Sequence, residues 1–262
     1  MIDTHAHVFH RGLTFDAARR YTPDYDAPLE AYLRQLDENG ITNAVLVQPS
    51  FLGTDNGYLL DSLKDAGGRL RGIAVLDPLQ GPADLAALQA AGVVGIRLNL
   101  IGRPAPDLAA PQWSRLFADV AARGWQIEVQ SHARQLATVA PRLLQTGARV
   151  VLDHYTLPDE ALGVRDPAFA AILRLGGSPR LWVKLSAPYR NGAAGERFAR
   201  AAYPLLRQAI GLDRLVWGSD WPHTQFETTQ DFRSNLRFLS TLVPDPDERA
   251  QIGRNAKALF GF

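Results

Sequence analysis

Two histidines near the start of the chain have a spacing that suits shared chemistry. His5 and His7 lie in the run Ile-Asp-Thr-His-Ala-His-Val-Phe at residues 2–9. Side chains alternate faces along a β-strand, so a strand here points both imidazoles the same way. Two imidazoles on one face can bind one metal ion or donate to one oxyanion. The pair indicates a site at the end of the first strand.

A lone carboxylate stands in a similar setting near the other end of the chain. Asp220 follows the run Leu-Val-Trp-Gly-Ser at residues 215–219, and His223 comes shortly after it. Gly218 and Pro222 bound this run, which is typical of a short buried strand. Asp220 could simply cap the helix that follows. It can act together with the two histidines only if the fold closes on itself.

Strand-like runs alternate with amphipathic helical patterns along the whole chain. The predicted strands are Met1–Phe9, Asn43–Ser50, Arg71–Asp77, Val93–Leu100, Trp125–His132, Arg149–Tyr155, Leu181–Ala187 and Arg214–Ser219. This alternation predicts parallel βαβ units. Eight units in 262 residues favour an α/β fold, a single-domain, distorted (β/α)8 TIM barrel over residues 1–262 with an extra C-terminal helix near Asp245–Leu259. A doubly wound open sheet is the alternative, and no Gly-x-Gly-x-x-Gly follows the first strand to support a dinucleotide site.

Polar residues recur where the predicted strands end, which is where such barrels build their sites. In the fourth strand the apolar positions turn Arg97 inward, and a buried guanidinium is costly unless it meets an anion. That anion could be a ligand, or Asp153 or Asp77 in an internal ion pair. His154 alone is more typical of a hydrogen-bonded structural histidine than of a catalytic one. Polar groups from several separate strands meet at the same end of the barrel, and this convergence favours a functional site over isolated structural roles.

Composition excludes several classes of protein. The formal net charge is +1, which gives no reason to expect nucleic acid or a membrane surface as partner. The chain has no cysteine, so disulfides, thiolate nucleophiles and cysteine-ligated zinc are excluded. No signal peptide or membrane-spanning apolar stretch is apparent. We expect a cytoplasmic protein, monomeric or homodimeric, whose partner is a small molecule.

Several motifs resemble the amidohydrolase superfamily. They are Asp-Thr-His-Ala-His-Val-Phe at residues 3–9, Leu-Asp-His at 152–154 and Trp-Gly-Ser-Asp-Trp-Pro-His at 217–223. Gly-Ile-Arg-Leu-Asn at 95–99 and Pro-Tyr-Arg at 188–190 are similar to the branch with 2-pyrone-4,6-dicarboxylate and sugar-acid lactonases. The resemblance spans essentially the whole chain. It implies a hydrolase of carboxylic esters in aromatic compound catabolism, which opens 2-pyrone-4,6-dicarboxylate or a related muconolactone or sugar-acid lactone.

The resemblance also implies residue roles. Asp220 would be the general base that activates water, with the scissile carbonyl surrounded by His5, His7 and His154. The residues expected to bind an anionic lactone are Arg97, Arg103, Arg190, Tyr21, Ser50, Gln130, His132 and His223. Gln130 and His132 depart from the family, which carries a tyrosine and an acid there. This change could alter recognition of the ring, so the substrate could be a related lactone instead of the pyrone.

Two ways of polarising the carbonyl remain open. One divalent ion, such as Zn²⁺, could be held by His5, His7 and Asp220. Alternatively the histidines and arginines act without metal, as the resemblance implies, and we expect no obligatory cofactor because a reactive ester needs little Lewis-acid help. Lys184 on strand seven does not match the carboxylated lysine of binuclear relatives. The alternative functions are a zinc-dependent hydrolase or decarboxylase of a small aromatic or carboxylic acid, and a non-catalytic binding barrel.

Overall fold

Parallel pairing of consecutive strands builds a barrel. The computed structural model describes residues 1–81 and 83–262. One sheet contains eight strands in chain order, each parallel to the next. They are β1 (Ile2–Ala6), β2 (Asn43–Val47), β3 (Leu70–Ala74), β4 (Val93–Asn99), β5 (Gln126–Gln130), β6 (Arg149–Leu152), β7 (Leu181–Ser186) and β8 (Leu215–Gly218).

Backbone hydrogen bonds close the sheet between β1 and the residues that follow β8. The N–H of His7 donates to the carbonyl of Trp221, and the N–H of Asp220 donates to the carbonyl of His5, both at 2.7 Å. An open sheet has no such bonds between its first and last strands. The predicted (β/α)8 barrel is therefore confirmed, and its seam brings the two ends of the chain to one edge.

Helices cover the outside of the barrel with their apolar faces. In the fourth helix the buried residues Trp113, Leu116, Phe117 and Val120 follow helical spacing. They pack in the same cluster as outward-facing strand residues. The helices are α1 (Leu29–Glu38), α2 (Gly57–Asp65), α3 (Leu85–Ala90), α4 (Pro111–Ala122), α5 (Ala133–Gln145), α6 (Pro167–Leu173), α7 (Gly195–Ala209), α8 (Phe232–Leu242) and α9 (Pro246–Phe260).

The strands end earlier than their apolar runs predict. Strand six was predicted to reach Tyr155, but β6 ends at Leu152 and residues 154–156 form a 3-10 turn. His154 to Leu157 all have positive φ values, between 45° and 72°. Left-handed backbone cannot continue a parallel ladder, so the prediction that His154 lies within a strand is wrong. His154 instead sits on a turn above the strand.

The predicted C-terminal helix closes the bottom of the barrel. Leu259 and Phe260 of α9 pack with Ile2, Val45 and Val216 from the strands. This apolar plug leaves the carboxyl ends of the strands as the open end. Among the described residues, no helix combines the length and the hydropathy needed to cross a membrane.

Candidate active site

Four polar atoms converge at the open end of the barrel. The Nε2 atoms of His5, His7 and His154 lie 3.7, 3.8 and 3.9 Å from Oδ1 of Asp220. Within the described residues, Nε2 of His5, Nε2 of His154 and Oδ1 of Asp220 are buried without a hydrogen-bond partner. Leaving a buried polar atom unpaired costs about 1–3 kcal/mol. A water molecule or another ligand at the centre of the cluster would give these atoms a partner.

Contacts at Nδ1 orient two of these rings. His7 donates from Nδ1 to the carbonyl of Val47 at 2.6 Å, and a carbonyl can only accept. Burial, followed by the charge of Arg97, lowers the pKa of His7 to about 3, so the ring is neutral and its Nε2 is an acceptor. Nδ1 of His154 lies 2.9 Å from Oγ of Ser186. Burial also lowers the pKa of His154, to about 4.

The second oxygen of Asp220 is held by residues that follow β7. Oδ2 accepts from Nε of Arg190 at 2.7 Å and from the hydroxyl of Tyr189 at 2.6 Å. Burial alone would raise the pKa of Asp220, but Arg190 and then the histidines outweigh it and hold the pKa well below its ordinary value. The carboxylate is ionised, with Oδ1 free to act.

Tyr189 was missed by the sequence analysis. Its neighbour Arg190 drew attention as a charged residue, while a tyrosine in a loop carried no separate signal. The Tyr189 hydroxyl also lies 3.1 Å from Nδ1 of His223, which places His223 behind the tyrosine. Burial lowers the pKa of His223 to about 4.

A cavity of about 170 Å³ opens above the cluster. The structure brings most of the predicted substrate residues to its wall, together with His7, His154 and Asp220. These wall residues are Tyr21, Ser50, Arg97, Gln130, His132 and Arg190. His132 is exposed at the mouth, just before α5. The volume lies below the range of about 300–1,000 Å³ for drug-sized ligands, so it suits a small substrate.

Arg20 stands at the cavity where Arg103 was expected. Arg103 is exposed and donates to the carbonyl of Ala18 at 2.6 Å, so the structure does not bring it to the wall. Arg20 lines the cavity, with Nη2 at 3.2 Å from Oδ1 of Asn99 and 3.4 Å from Oγ of Ser50. Arg20 comes from an irregular segment without periodicity, so nothing local marked it.

Arg97 is buried at the cavity floor as predicted. It donates to the carbonyl of Gln48 at 3.1 Å and to Oε1 of Gln130 at 2.5 Å. The nearest carboxylate is Asp153, at 3.9 Å. Burial lowers the pKa of Arg97, and Asp153 opposes the shift. The internal ion-pair interpretation therefore applies with Asp153 and not with Asp77, while the guanidinium still reaches the cavity.

A buried acid on β5 was also missed. Glu128 lies inside the barrel on β5, where Gln126, Glu128 and Gln130 are all buried. Three polar residues at period-2 spacing are the signal that could have identified an inward polar face.

The residue types fit one divalent ion. The ligand atoms of His5, His7 and Asp220 all lie within 4.8 Å of one another, as do those of His5, Asp153 and His154. The first set is the predicted one. Imidazole nitrogen and carboxylate oxygen are common Zn²⁺ ligands, and the unpartnered Nε2 and Oδ1 atoms would gain a partner.

Comparison with known proteins identifies the family. The amidohydrolase family model matches residues 2–262. The chain belongs to the amidohydrolase family. This amidohydrolase is 30% identical over 234 residues to a 2-pyrone-4,6-dicarboxylate hydrolase of Comamonas testosteroni, covering 85% of this chain and 76% of the relative. It is 27% identical to a 4-sulfomuconolactone hydrolase of Hydrogenophaga intermedia, covering 99% and 88%.

A solved structure agrees closely with this amidohydrolase. It is a probable 2-pyrone-4,6-dicarboxylic acid hydrolase of Acinetobacter baumannii with citric acid bound. The TM-score is 0.96 at 37% identity, and the match covers 100% of this chain and 99% of the relative. The predicted superfamily is confirmed, and the fold agrees over the whole length.

Proposed function

We propose that this amidohydrolase hydrolyses a small lactone that carries acidic groups. The observation that carries the proposal is Asp220, which lines a cavity rich in guanidinium groups. Its Oδ2 is held by Arg190 and Tyr189 while its Oδ1 faces the histidines. The named activities of the C. testosteroni and H. intermedia relatives, both hydrolases of lactone-ring acids, support the same reaction class.

Asp220 is the proposed general base. Its Oδ1 and Nε2 of His7 are both acceptors, 3.8 Å apart, so one water could donate a hydrogen to each. The water oxygen attacks the lactone carbonyl carbon, and Asp220 takes the proton. When the ring C–O bond breaks, the leaving oxygen takes that proton back, which yields a ring-opened acid and restores Asp220.

Arginines are the proposed anion-binding groups. Arg20, Arg97 and Arg190 all line the cavity. Planar guanidinium forks bind carboxylates in a bidentate manner, so three of them suit a substrate with more than one acidic group. The A. baumannii relative has citric acid bound, and a tricarboxylic ligand in a relative supports the same class of ligand here. A substrate acid that reaches Arg190 would compete with Asp220 for it.

A metal-assisted form of the reaction is the second candidate. The observation that favours it is the convergence of unpartnered Nε2 and Oδ1 atoms. His5, His7 and Asp220 would hold the ion. A bound divalent ion supplies Lewis-acid polarisation of the carbonyl and makes water more acidic.

The test is hydrolysis of a lactone panel by chelator-stripped protein whose metal content is measured. The panel contains 2-pyrone-4,6-dicarboxylate, muconolactones and aldarolactones. We expect turnover of an acidic lactone and a fall of about 1,000-fold in kcat for Asp220→Asn, which removes the base. Asp61→Asn, on the exposed face of α2, is the matched control and should leave kcat unchanged.

Each outcome separates the candidates. Turnover that survives stripping supports hydrolysis by the protein groups alone. Turnover that is lost and returns only with zinc supports the metal-assisted form. A wild-type rate in Asp220→Asn would contradict the assignment of the base.

A further inference from the structure

A layer of charged residues lies inside the barrel, directly beneath the histidines. Lys184 on β7, Glu128 on β5 and Asp153 after β6 are all fully buried. Nζ of Lys184 lies 2.6 Å from Oε2 of Glu128 and 3.5 Å from Oδ1 of Asp153. None of the three lines the cavity, and the proposed mechanism uses none of them. Such an arrangement needs a reason, because burying charge is costly.

Lys184 makes the shortest contact between this layer and the site. Nζ of Lys184 lies 3.0 Å from Nδ1 of His5. A lysine ammonium has three N–H donors and no acceptor, and two carboxylates balance its charge here. At this distance Nδ1 of His5 must accept, because an N–H on Nδ1 would point a donor at a donor. The single ring proton of His5 then sits on Nε2.

Asp153 is the competing partner of His5. Its Oδ1 lies 3.4 Å from Nδ1 of His5 and would accept from an Nδ1–H. That distance is longer than the one to Lys184 and exceeds the usual range for an N–H···O hydrogen bond. The shorter contact therefore decides the tautomer.

We infer that Lys184 is a positioning residue that fixes His5 as an Nε2–H donor to the reacting carbonyl oxygen instead of a metal ligand. The link to the carbonyl rests on the proposed lactonase function, whereas the tautomer does not. A donor aimed at the developing oxyanion is a large contributor to acyl-transfer catalysis.

His5 in β1 and His7 just after it then have opposite roles. His7 donates from Nδ1 to the carbonyl of Val47, so its Nε2 accepts. His5 accepts at Nδ1 from Lys184, so its Nε2 donates. The acceptor suits the attacking water and the donor suits the carbonyl oxygen. A divalent ion at the centre could use Nε2 of His7 directly, but it could use His5 only after the proton had moved to Nδ1.

The first experiment reads the tautomer without any substrate. Protein labelled with ¹⁵N-histidine and stripped with chelator is studied by long-range ¹H–¹⁵N NMR, with the His5 signals assigned by their loss in His5→Gln. We expect a protonated Nε2 and an unprotonated Nδ1 for His5, and the reverse for His7. An unprotonated Nε2 in His5 would overturn the inference, whatever the enzyme's activity.

The second experiment removes the ammonium. Lys184→Met should move the His5 proton to Nδ1, facing Asp153, and lower kcat about 100-fold with KM changed less than about threefold. Lys64→Met, on the exposed face of α2, is the matched control and should change neither. An unchanged His5 tautomer and kcat in Lys184→Met would overturn the inference.

A double variant without either charge tests whether misfolding explains the effect of Lys184→Met. Lys184→Met alone leaves Glu128 buried without its partner. Glu128→Gln combined with Lys184→Met removes both charges, and circular dichroism with thermal unfolding checks its fold. A folded double variant that keeps the wild-type tautomer would also overturn the inference. If the wild-type protein shows the expected His5 tautomer but hydrolyses no lactone, the proposed function is contradicted. That result would not contradict the role of Lys184 in fixing the tautomer of His5.

Discussion

The two carboxylate oxygens of Asp220 have different contacts and different roles. Oδ2 is held by Arg190 and Tyr189, and Oδ1 faces the histidines. The sequence analysis expected a general base there but not the partner that keeps it ionised. Arg190 has the largest effect of the neighbouring charges on the pKa of Asp220, ahead of the histidines. One guanidinium therefore keeps the base ionised, and in the proposed function the same group also binds the substrate.

Removing Arg190 should move the pH dependence of the enzyme. Arg190 holds the pKa of Asp220 below its ordinary value, and burial opposes this. Without Arg190 the effect of burial on the pKa of Asp220 is opposed less strongly, so Asp220 stays protonated, and inactive as a base, to higher pH. We expect the acid limb of kcat/KM in Arg190→Met to move up by at least about one pH unit.

The control for this experiment keeps the charge. Arg190→Lys should leave the acid limb near its wild-type position while raising KM, since an ammonium cannot replace a bidentate fork. The pH profiles of kcat/KM for the three proteins make the comparison. An acid limb that stays in place in Arg190→Met would contradict the role of Arg190.

At the level of elements, the seam between β1 and β8 determines the site. Gly218 lies at the end of β8, where a Cβ would sit 2.5 Å from Cβ and 2.8 Å from N of His5. Only a glycine allows β8 to approach β1 this closely, and the approach brings Asp220 beside His5. β8, which leads into Asp220, is thereby held against β1, which carries His5.

Gly218→Ala should therefore damage both stability and catalysis. The added methyl must push β8 away from β1, at a cost of about 1–3 kcal/mol in the free energy of unfolding. We expect kcat to fall by at least about tenfold, since small displacements of catalytic groups are costly. Gly177→Ala is the control, because a Cβ there meets no atom within 4 Å. Equal unfolding midpoints for the two variants in denaturant would rule out the proposed crowding.

At the level of the whole molecule, α9 supports the site from below. Phe260 is 1% exposed in the apolar plug, and its ring centroid lies 6.0 Å from Nζ of Lys184. The plug keeps water away from the charged layer that contacts His5. The last helix and the first strand of the chain thus pack in the same apolar plug.

Phe260→Ala should open a cavity under the barrel. We expect a loss of about 3–5 kcal/mol in the free energy of unfolding, a large share of the stability of a typical domain. Phe262→Ala is the matched control: that ring is only partly buried and stacks with Arg71, with 4.8 Å between its centroid and the guanidinium carbon. Its loss should cost about 1 kcal/mol. Denaturant unfolding of both variants measures the difference, and equal losses would contradict the plug.

Local pattern was sufficient for what lies within one element. The eight strands, the shared face of His5 and His7, the inward Arg97 and the position of Asp220 after a strand all follow from alternation and turn residues. These features depend on neighbours in the chain, which the sequence displays directly. The resemblance to amidohydrolases supplied the reaction class, and the family is confirmed.

Contacts between distant elements were decided only by the tertiary structure. Arg20 in place of Arg103, Tyr189 on Asp220 and Lys184 beneath His5 are not visible in any local pattern. Lys184 and His5 are 179 residues apart in the chain and 3.0 Å apart in the barrel. Residue types and spacing along the chain predict which groups a strand presents. The register and closure of the barrel decide which of these groups meet, and a hydrogen bond depends on tenths of an ångström that only packing determines.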